Sequence, residues 1–291
     1  MYLCHGPFQS RRKRGPEDEE AAVQIERLTP HIGARVSGID LSALGPDSRA
    51  EIRALLEEHL VLFFVGQSFD AASFKRFGEV VGELEVTPLL ANLGGDLKAV
   101  HIVEVPPGVV RGAYADAWHT DVPFRERPPY ATILRPEHLP DLGGDTLWAS
   151  MYAAYEMMSE PLRRLADGLE VVQAVSNSRG TFEYTHPVVR VNPATGRRGL
   201  YVNSIFSRSI VGVSKVESAK LIDMFCTLAT LPDVQVRYRW TPDTVAMWDN
   251  RFTQHYAASD YDQPRRMQRL TVVGDPVVGL GRAKDIAAAA A

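Results

Sequence analysis

The chain has 291 residues, of which 45% are hydrophobic and 23% charged, with a net charge of −4 at neutral pH. These are ordinary globular values, sufficient for one large domain or two smaller ones. The charge provides no broad basic field for nucleic acid, and no apolar run is long enough to span a bilayer. Residues 1–22 contain Arg11-Arg12-Lys13-Arg14 and Glu17-Asp18-Glu19-Glu20 with no apolar stretch behind them. That segment reads as a solvated, disordered extension and not as a secretory signal. Cys4 lies in it and Cys226 in a predicted helix, so no disulfide framework is expected and a reducing, cytoplasmic setting is.

Val23–Arg27 and Ala34–Ile39 read as short strands around a turn. Ser48–Leu60 has helical apolar spacing at Ile52, Leu55, Leu56 and Leu60, and runs into the continuous apolar strand Val61–Val65. A second helix over Asp70–Val81 precedes an irregular stretch to Asp96. From there β-type runs dominate: Ala99–Val105, Tyr130–Leu134, Thr146–Ala149, Leu169–Ala174, Pro187–Val191, Gly199–Asn203, Val234–Trp240, Val245–Trp248 and Met267–Val273. Pro, Gly and Asp/Asn clusters separate them, as in antiparallel sheets. Helices are predicted over Met151–Ala166 and Ser214–Leu231, the second opened by a capping box of Ser214 with Glu217. This pattern predicts a mostly β fold, a sandwich or jelly roll with flanking helices, as one domain over residues 23–282. Residues 283–291, ending in Ala287–Ala291, read as a frayed tail.

Trp118-His119-Thr120-Asp121 is the most informative segment. On an extended backbone His119 and Asp121 point to one face and could grip one cation. With eight histidines and 36 acidic residues, roughly one His-x-acid triplet is expected by chance, so the triplet alone is weak. His255, just after the strand Val245–Trp248, adds a second imidazole that a jelly roll can bring across the barrel mouth. Two histidines and one carboxylate leave metal positions open, the pattern of non-haem Fe(II) oxygenases. His59, His101, His138 and His186 lack such company and read as structural.

Arg265, Arg266 and Arg269 follow His255. In a strand, Arg265, Met267 and Arg269 share one face, while Arg266 and Gln268 share the other. Two inward arginines four residues apart could hold two separate anions, because guanidinium is a bidentate match for carboxylate and similar groups.

Beyond these local patterns, the chain over residues 23–280 resembles the taurine dioxygenase/2,4-dichlorophenoxyacetate dioxygenase family of Fe(II)- and 2-oxoglutarate-dependent oxygenases. The stretches that carry the resemblance are Ile32-Gly33-Ala34 to Gly38-Ile39-Asp40-Leu41, Trp118 to Phe124, Gly143-Gly144-Asp145-Thr146-Leu147-Trp148, His186 to Arg190, and Trp248-Asp249-Asn250-Arg251 through Gln254-His255-Tyr256, with Gly274-Asp275 at the end. The resemblance implies a double-stranded β-helix (jelly-roll) fold, Fe(II) held by His119, Asp121 and His255, and 2-oxoglutarate and O₂ as cosubstrates. It also implies that Thr146 and an arginine bind the distal carboxylate of 2-oxoglutarate. The family's usual count from the distal histidine points to Arg266, whereas its Arg-x-x-x-Arg pair points to Arg265 with Arg269. A loop tolerates a one-residue deletion better than a strand tolerates a slip. Arg265 is therefore expected at the cosubstrate and Arg269 at the substrate's anion, with Val122 and Phe206 lining the substrate pocket.

The departures concern substrate. Where the taurine enzyme has a His-x-x-Tyr segment and an Asn, this chain has Glu85-Val86-Thr87-Pro88-Leu89-Leu90 and Ala115-Asp116-Ala117. Taurine's ammonium loses its evident partners, and a more apolar acceptor is expected. The stretch between Ala174 and His186 is shorter than the family's usual second lid. The expected substrate is a small organic anion of the alkylsulfonate, alkyl sulfate or aryloxyalkanoate type, hydroxylated with fragmentation of the product. Asp249 and Asn250 are assigned to the turn that presents His255. A non-oxidative jelly-roll metalloenzyme and a non-catalytic 2-oxoglutarate sensor are the alternatives, and homo-oligomerisation is left open.

Overall fold

The computed structural model describes residues 22–87, 90–105 and 116–281. Most of the expected N-terminal extension, the tail, Pro88, Leu89 and Ala115 therefore lie outside the described residues. β1 (Gln24–Arg27) and β2 (Ala34–Ser37) form a hairpin, and α1 (Arg49–His59) leads through Leu60, with φ at +64°, directly into β3 (Val61–Phe64). α2 (Ala71–Val81) starts where Asp70 caps the backbone N–H of Ser73. β4 (Ala91–Asn92), β5 (His101–Val105), β6 (Ala131–His138) and β7 (Thr146–Ser150) follow. After α3 (Met151–Glu156) and α4 (Glu160–Asp167) come β8 (Glu170–Asn177), β9 (Gly180–Pro187), β10 (Val189–Val191), β11 (Arg198–Leu200) and β12 (Ser207–Ile210). α5 (Lys215–Ala229) precedes β13 (Gln235–Tyr238), β14 (Val245–Asp249), β15 (Thr253–Ala257) and β16 (Arg265–Val272).

The larger sheet has the order β1-β2-β3-β14-β6-β16-β5-β4, with β2 and β3 parallel and the other neighbours antiparallel. β13-β7-β15 forms a second sheet, with β12-β8-β9 and the β10–β11 pair beyond it. Side-chain alternation fixes how these layers meet. Val61 and Phe63 of β3, Ala246 and Trp248 of β14 and Met267 of β16 enter one core with Trp148, Val236 and Tyr238 of the second sheet. Leu62, Phe64, Val245, Met247, Leu270 and Val272 point the other way and bury against α1 and α2. A third core lies under α3 and α5. The result is the expected jelly-roll sandwich, covered by helices on its outer faces.

Five local readings change. The predicted helix Met151–Ala166 is two helices, because Ser159 starts α4 and Pro161 in its first turn cannot continue the hydrogen bonding of α3. His255 lies within β15 rather than after a strand, and β12 has no counterpart among the predicted strands. The Ala174–His186 stretch is no lid loop: β8 and β9 pair along their length, closed by Ser178-Arg179. Gly180, at φ +124°, re-enters the second strand there. Finally, β6 continues through Pro136 to His138, with the register against β16 shifting between Arg266 and Met267.

Candidate metal centre and anion sites

The two histidines meet through backbone pairing. His119 N–H donates to the His255 carbonyl at 3.1 Å, and His255 N–H returns a bond to the His119 carbonyl at 2.8 Å. Residues that exchange both bonds stand directly opposite on the same side of an antiparallel pair. Their imidazole centroids are accordingly 4.1 Å apart. The expected extended strand through the triplet is only this single bridge. The chain then bends, and Val122 adopts φ +50°, a region β-branched residues seldom enter. Even so, Asp121 is brought in: the ligand atoms of His119, Asp121 and His255 lie within 4.8 Å of one another, and all three residues are buried.

Asn250 holds that bend. Its Oδ1 accepts from Asp121 N–H at 2.8 Å, its Nδ2 donates to the Asp121 and Pro129 carbonyls, and its own carbonyl accepts from Thr120 Oγ1 at 2.6 Å. This role goes beyond the turn assigned to it from sequence. Asp249 anchors the turn itself by a paired contact with Arg251 at 2.7 and 3.0 Å.

The ligand atoms are presented in the state a cation requires. His119 Nδ1 donates to the Ala117 carbonyl at 2.7 Å, which leaves Nε2 as the lone-pair nitrogen. Oδ2 of Asp121 accepts from Thr132 Oγ1 and from Arg269 Nη2, both at 2.8 Å, while Oδ1 faces His255 Nε2 at 3.8 Å. Burial, followed by the neighbouring His119, pushes His255 down to about 3. Burial also lowers His119. Burial of Asp121 opposes its ionisation, but the charge of Arg269 outweighs it, and the carboxyl lies well below the usual range. Two neutral imidazoles beside an ionised carboxylate fit a divalent metal.

Arg265, Met267 and Arg269 do face inward together. Arg265 is 4% exposed, and its Nε and Nη2 have no hydrogen-bond partner among the described residues. Its Cδ lies so close to Gly144, at φ +69°, that a Cβ there would approach to 3.2 Å. Trp240 links Arg265 to Thr146: the indole lies 6.0 Å from the guanidinium carbon, and its N–H donates to Thr146 Oγ1 at 3.0 Å. The Thr146 hydroxyl hydrogen is left to donate elsewhere. Arg266, in contrast, points outward and pairs with Glu104 at 2.7 Å and Glu137 at 2.8 Å. Phe206 stands edge-on to His119 at 6.3 Å and to Phe124 at 5.4 Å, while Val122 is half-buried.

The other sequence candidates do not join the His119/Asp121/His255 cluster. His59 is buried at the end of α1, His138 is exposed at the end of β6, and His186 donates from Nε2 to the Arg125 carbonyl at 2.9 Å. Thr132, Trp240, the Ala117 carbonyl and the Asn250 clamp were missed. Trp240 and the Asn250 clamp act across long sequence separations, whereas the Ala117 carbonyl and Thr132 lie within eleven residues of their partners and carry no residue-type signal.

A jelly roll with two histidines and one carboxylate in its mouth, beside an inward arginine with open donors, has the architecture of a non-haem iron oxygenase. The chain belongs to the taurine catabolism dioxygenase TauD, TfdA family, whose model matches residues 24–271. It is 36% identical to an alpha-ketoglutarate-dependent sulfate ester dioxygenase of Pseudomonas putida, over 89% of this chain and 92% of the relative. It is 35% identical to an alkylsulfatase of Acinetobacter baylyi, over 88% and 87% of the two chains. A crystal structure of a taurine dioxygenase from Burkholderia xenovorans superposes with a TM-score of 0.81 at 37% identity, covering 89% of this chain and 92% of that one.

Proposed function

We propose that this Fe(II)- and 2-oxoglutarate-dependent dioxygenase hydroxylates a small organic anion, with alkyl sulfate esters as the first substrate class. The observation that carries the reading is the inward face of β16, where Arg265 keeps two open donors and Arg269 stands beside the His–Asp–His cluster. In this reading His119, Asp121 and His255 hold the iron. Thr146 and Arg265 take the distal carboxylate of 2-oxoglutarate, and Arg269 takes the negative group of the substrate, with Val122 and Phe206 against its carbon chain. Iron and 2-oxoglutarate, when bound, supply the oxygen-activating chemistry that hydroxylates a C–H bond while 2-oxoglutarate becomes succinate and CO₂.

The protein's own contribution is position and exclusion of water. Arg265, sequestered among Trp240 and Gly144, fixes one end of the cosubstrate. Arg269, steadied by Thr132 and Asp121, fixes the substrate so that the carbon next to its anion faces the metal. If that carbon bears a sulfate ester oxygen, hydroxylation gives R–CH(OH)–OSO₃⁻. Its C–O bond to sulfate then breaks with loss of the hydroxyl proton, giving an aldehyde and hydrogen sulfate. The stretch from Glu85 to Leu90 lacks the histidine and tyrosine that the taurine enzyme has there, which supports an apolar chain over taurine. The relatives acting on sulfate esters support the same choice.

Residues 23–282 form one catalytic unit in this reading, supported by the span of the family match. A cytoplasmic setting belongs to it as well. Cys226 is a free thiol that burial pushes up to about 12, and no described helix is long and apolar enough to cross a membrane. The test is succinate formation with Fe(II), 2-oxoglutarate and ascorbate across alkyl sulfates, alkylsulfonates and aryloxyalkanoates. Stimulation by alkyl sulfates above the other classes is expected. Stimulation by none of these anions would overturn the substrate reading.

A further inference from the structure

His101 has a position that its reading as a structural histidine does not explain. It opens β5 directly opposite Arg269 of β16. Opposed residues of an antiparallel pair share a face, and here that face is the inner one. Val103 and Met267, the next opposed pair on that face of the two strands, both pack into the core between the sheets. The imidazole is completely buried.

Its two nitrogens are used unequally. Nε2 accepts a hydrogen bond from the backbone N–H of Thr87 at 3.1 Å, which assigns the lone pair to Nε2. The ring proton of a neutral imidazole then sits on Nδ1. Nδ1 is buried and has no partner among the described residues. Buried donors without a partner are rare in folded proteins and mark places where something else meets them. Burial, followed by the charge of Arg269, lowers its pKa and so favours the neutral ring.

Arg269 shows the complementary pattern. Nη2 engages Asp121 at 2.8 Å and Thr132 at 3.4 Å, and Nε reaches Thr271 at 3.4 Å. Nη1 is the end of the fork that these contacts leave over. Side by side on one sheet face there are therefore a cationic donor and an uncharged N–H donor.

We infer that His101 is a specificity-determining residue that donates from Nδ1, together with Arg269, to the oxygens of the substrate's sulfate group. The inference rests on the substrate-binding role proposed above for Arg269. A sulfate ester offers several acceptor oxygens and no proton, so two donors from adjacent strands suit it. An ammonium group in the same place would meet an N–H and a guanidinium, and is rejected. The Thr87 N–H orients the imidazole by occupying Nε2.

The test separates this role from a purely structural one with two amide variants. His101→Gln keeps an acceptor near the Nε2 position for Thr87 but loses the Nδ1 donor. His101→Asn keeps a donor near Nδ1 and loses the reach to Thr87. Binding of hexyl sulfate to the anaerobic protein loaded with Fe(II) and 2-oxoglutarate is measured by calorimetry, and KM and kcat for hexyl sulfate by succinate release. For His101→Gln we expect the dissociation constant and KM to rise about 10- to 100-fold, the scale of one hydrogen bond to a charged group, with kcat changed less than about threefold. His101→Asn should bind within about threefold of the unaltered protein. Unchanged binding in His101→Gln, or loss in His101→Asn alone, would overturn the inference. If the unaltered protein neither binds hexyl sulfate nor turns it over, the proposed function fails together with it.

Discussion

Arg265 and Arg266 are consecutive residues on one strand, and they have opposite surroundings. Arg266 faces out, is paired with two glutamates, and is solvated. Arg265 faces in, lies among Trp240 and Gly144, and has two donors without partners among the described residues. Charge alone does not distinguish them; the partners do. A surface cation satisfied by carboxylates contributes to solubility and little else. A sequestered cation whose donors lack partners is a cost to the fold that a bound anion can offset.

The sharpest way to break this comparison lies at the centre that both faces of the sheet support. His255→Ala should lower 2-oxoglutarate turnover at least about 1000-fold and abolish stoichiometric Fe(II) binding, measured by succinate formation and metal analysis, because two ligands cannot retain the ion. Arg265→Met comes next. It should raise the KM for 2-oxoglutarate roughly 100-fold while leaving the ligand-free protein as stable as before or more stable, since an unpaired buried cation is removed. Thermal unfolding with and without 2-oxoglutarate checks both halves, because the unaltered protein gains stability from the ligand and the variant does not. A drop in ligand-free stability of several kcal/mol would show that Arg265 serves the fold instead.

A fully partnered buried group should behave differently. Asn250→Leu removes a side chain whose amide satisfies Asp121 and Pro129, and it should destabilise by about 2–3 kcal/mol. It should also weaken Fe(II) binding about 10- to 100-fold by freeing the Asp121 bend. Urea unfolding and metal titration measure the two effects.

The pH dependence follows from a partnered histidine that is not among the proposed ligands. Burial pushes His186 down to about 4 from its ordinary 6.5, and its hydrogen bond to Arg125 only partly opposes this. The folded state therefore disfavours the proton that the unfolded state takes up. Its contribution is complete above about pH 6.5 and is lost as pH falls towards 4, on the order of 2–3 kcal/mol. The urea midpoint should fall between pH 7 and pH 4.5, and less steeply in His186→Gln. The smallest effect is reserved for Arg266→Ala, which should change neither the KM for 2-oxoglutarate nor the unfolding midpoint beyond experimental error.

The opposed faces of Arg265 and Arg266 were readable from sequence because strand parity is local: given that β16 is a strand, alternation does the rest. The Trp118–Asp121 segment was readable as a ligand pattern, though its geometry was not. His119 and Asp121 converge through one bridge and a bend at Val122 instead of a regular strand. β15 was hidden because Thr253, Gln254 and His255 are polar and buried together, and Gln254 is satisfied by the Val202 carbonyl and the Met151 sulfur. No alternation of apolar and polar residues marks such a strand. The Asn250 clamp joins positions about 130 residues apart, and the Trp240–Thr146 bond joins β7 to a residue beyond the end of β13, 94 positions away. His101 looked structural for the same reason: its importance comes from Arg269, brought opposite by sheet pairing alone.

The most direct test of the proposed chemistry is simultaneous measurement of succinate and inorganic sulfate released from hexyl sulfate by the Fe(II)-loaded protein in air. Oxidative cleavage of a sulfate ester predicts sulfate and succinate in a ratio close to one, both dependent on 2-oxoglutarate and both lost in His255→Ala. Sulfate release that continues without 2-oxoglutarate, or succinate formation that no organic anion stimulates, would contradict it.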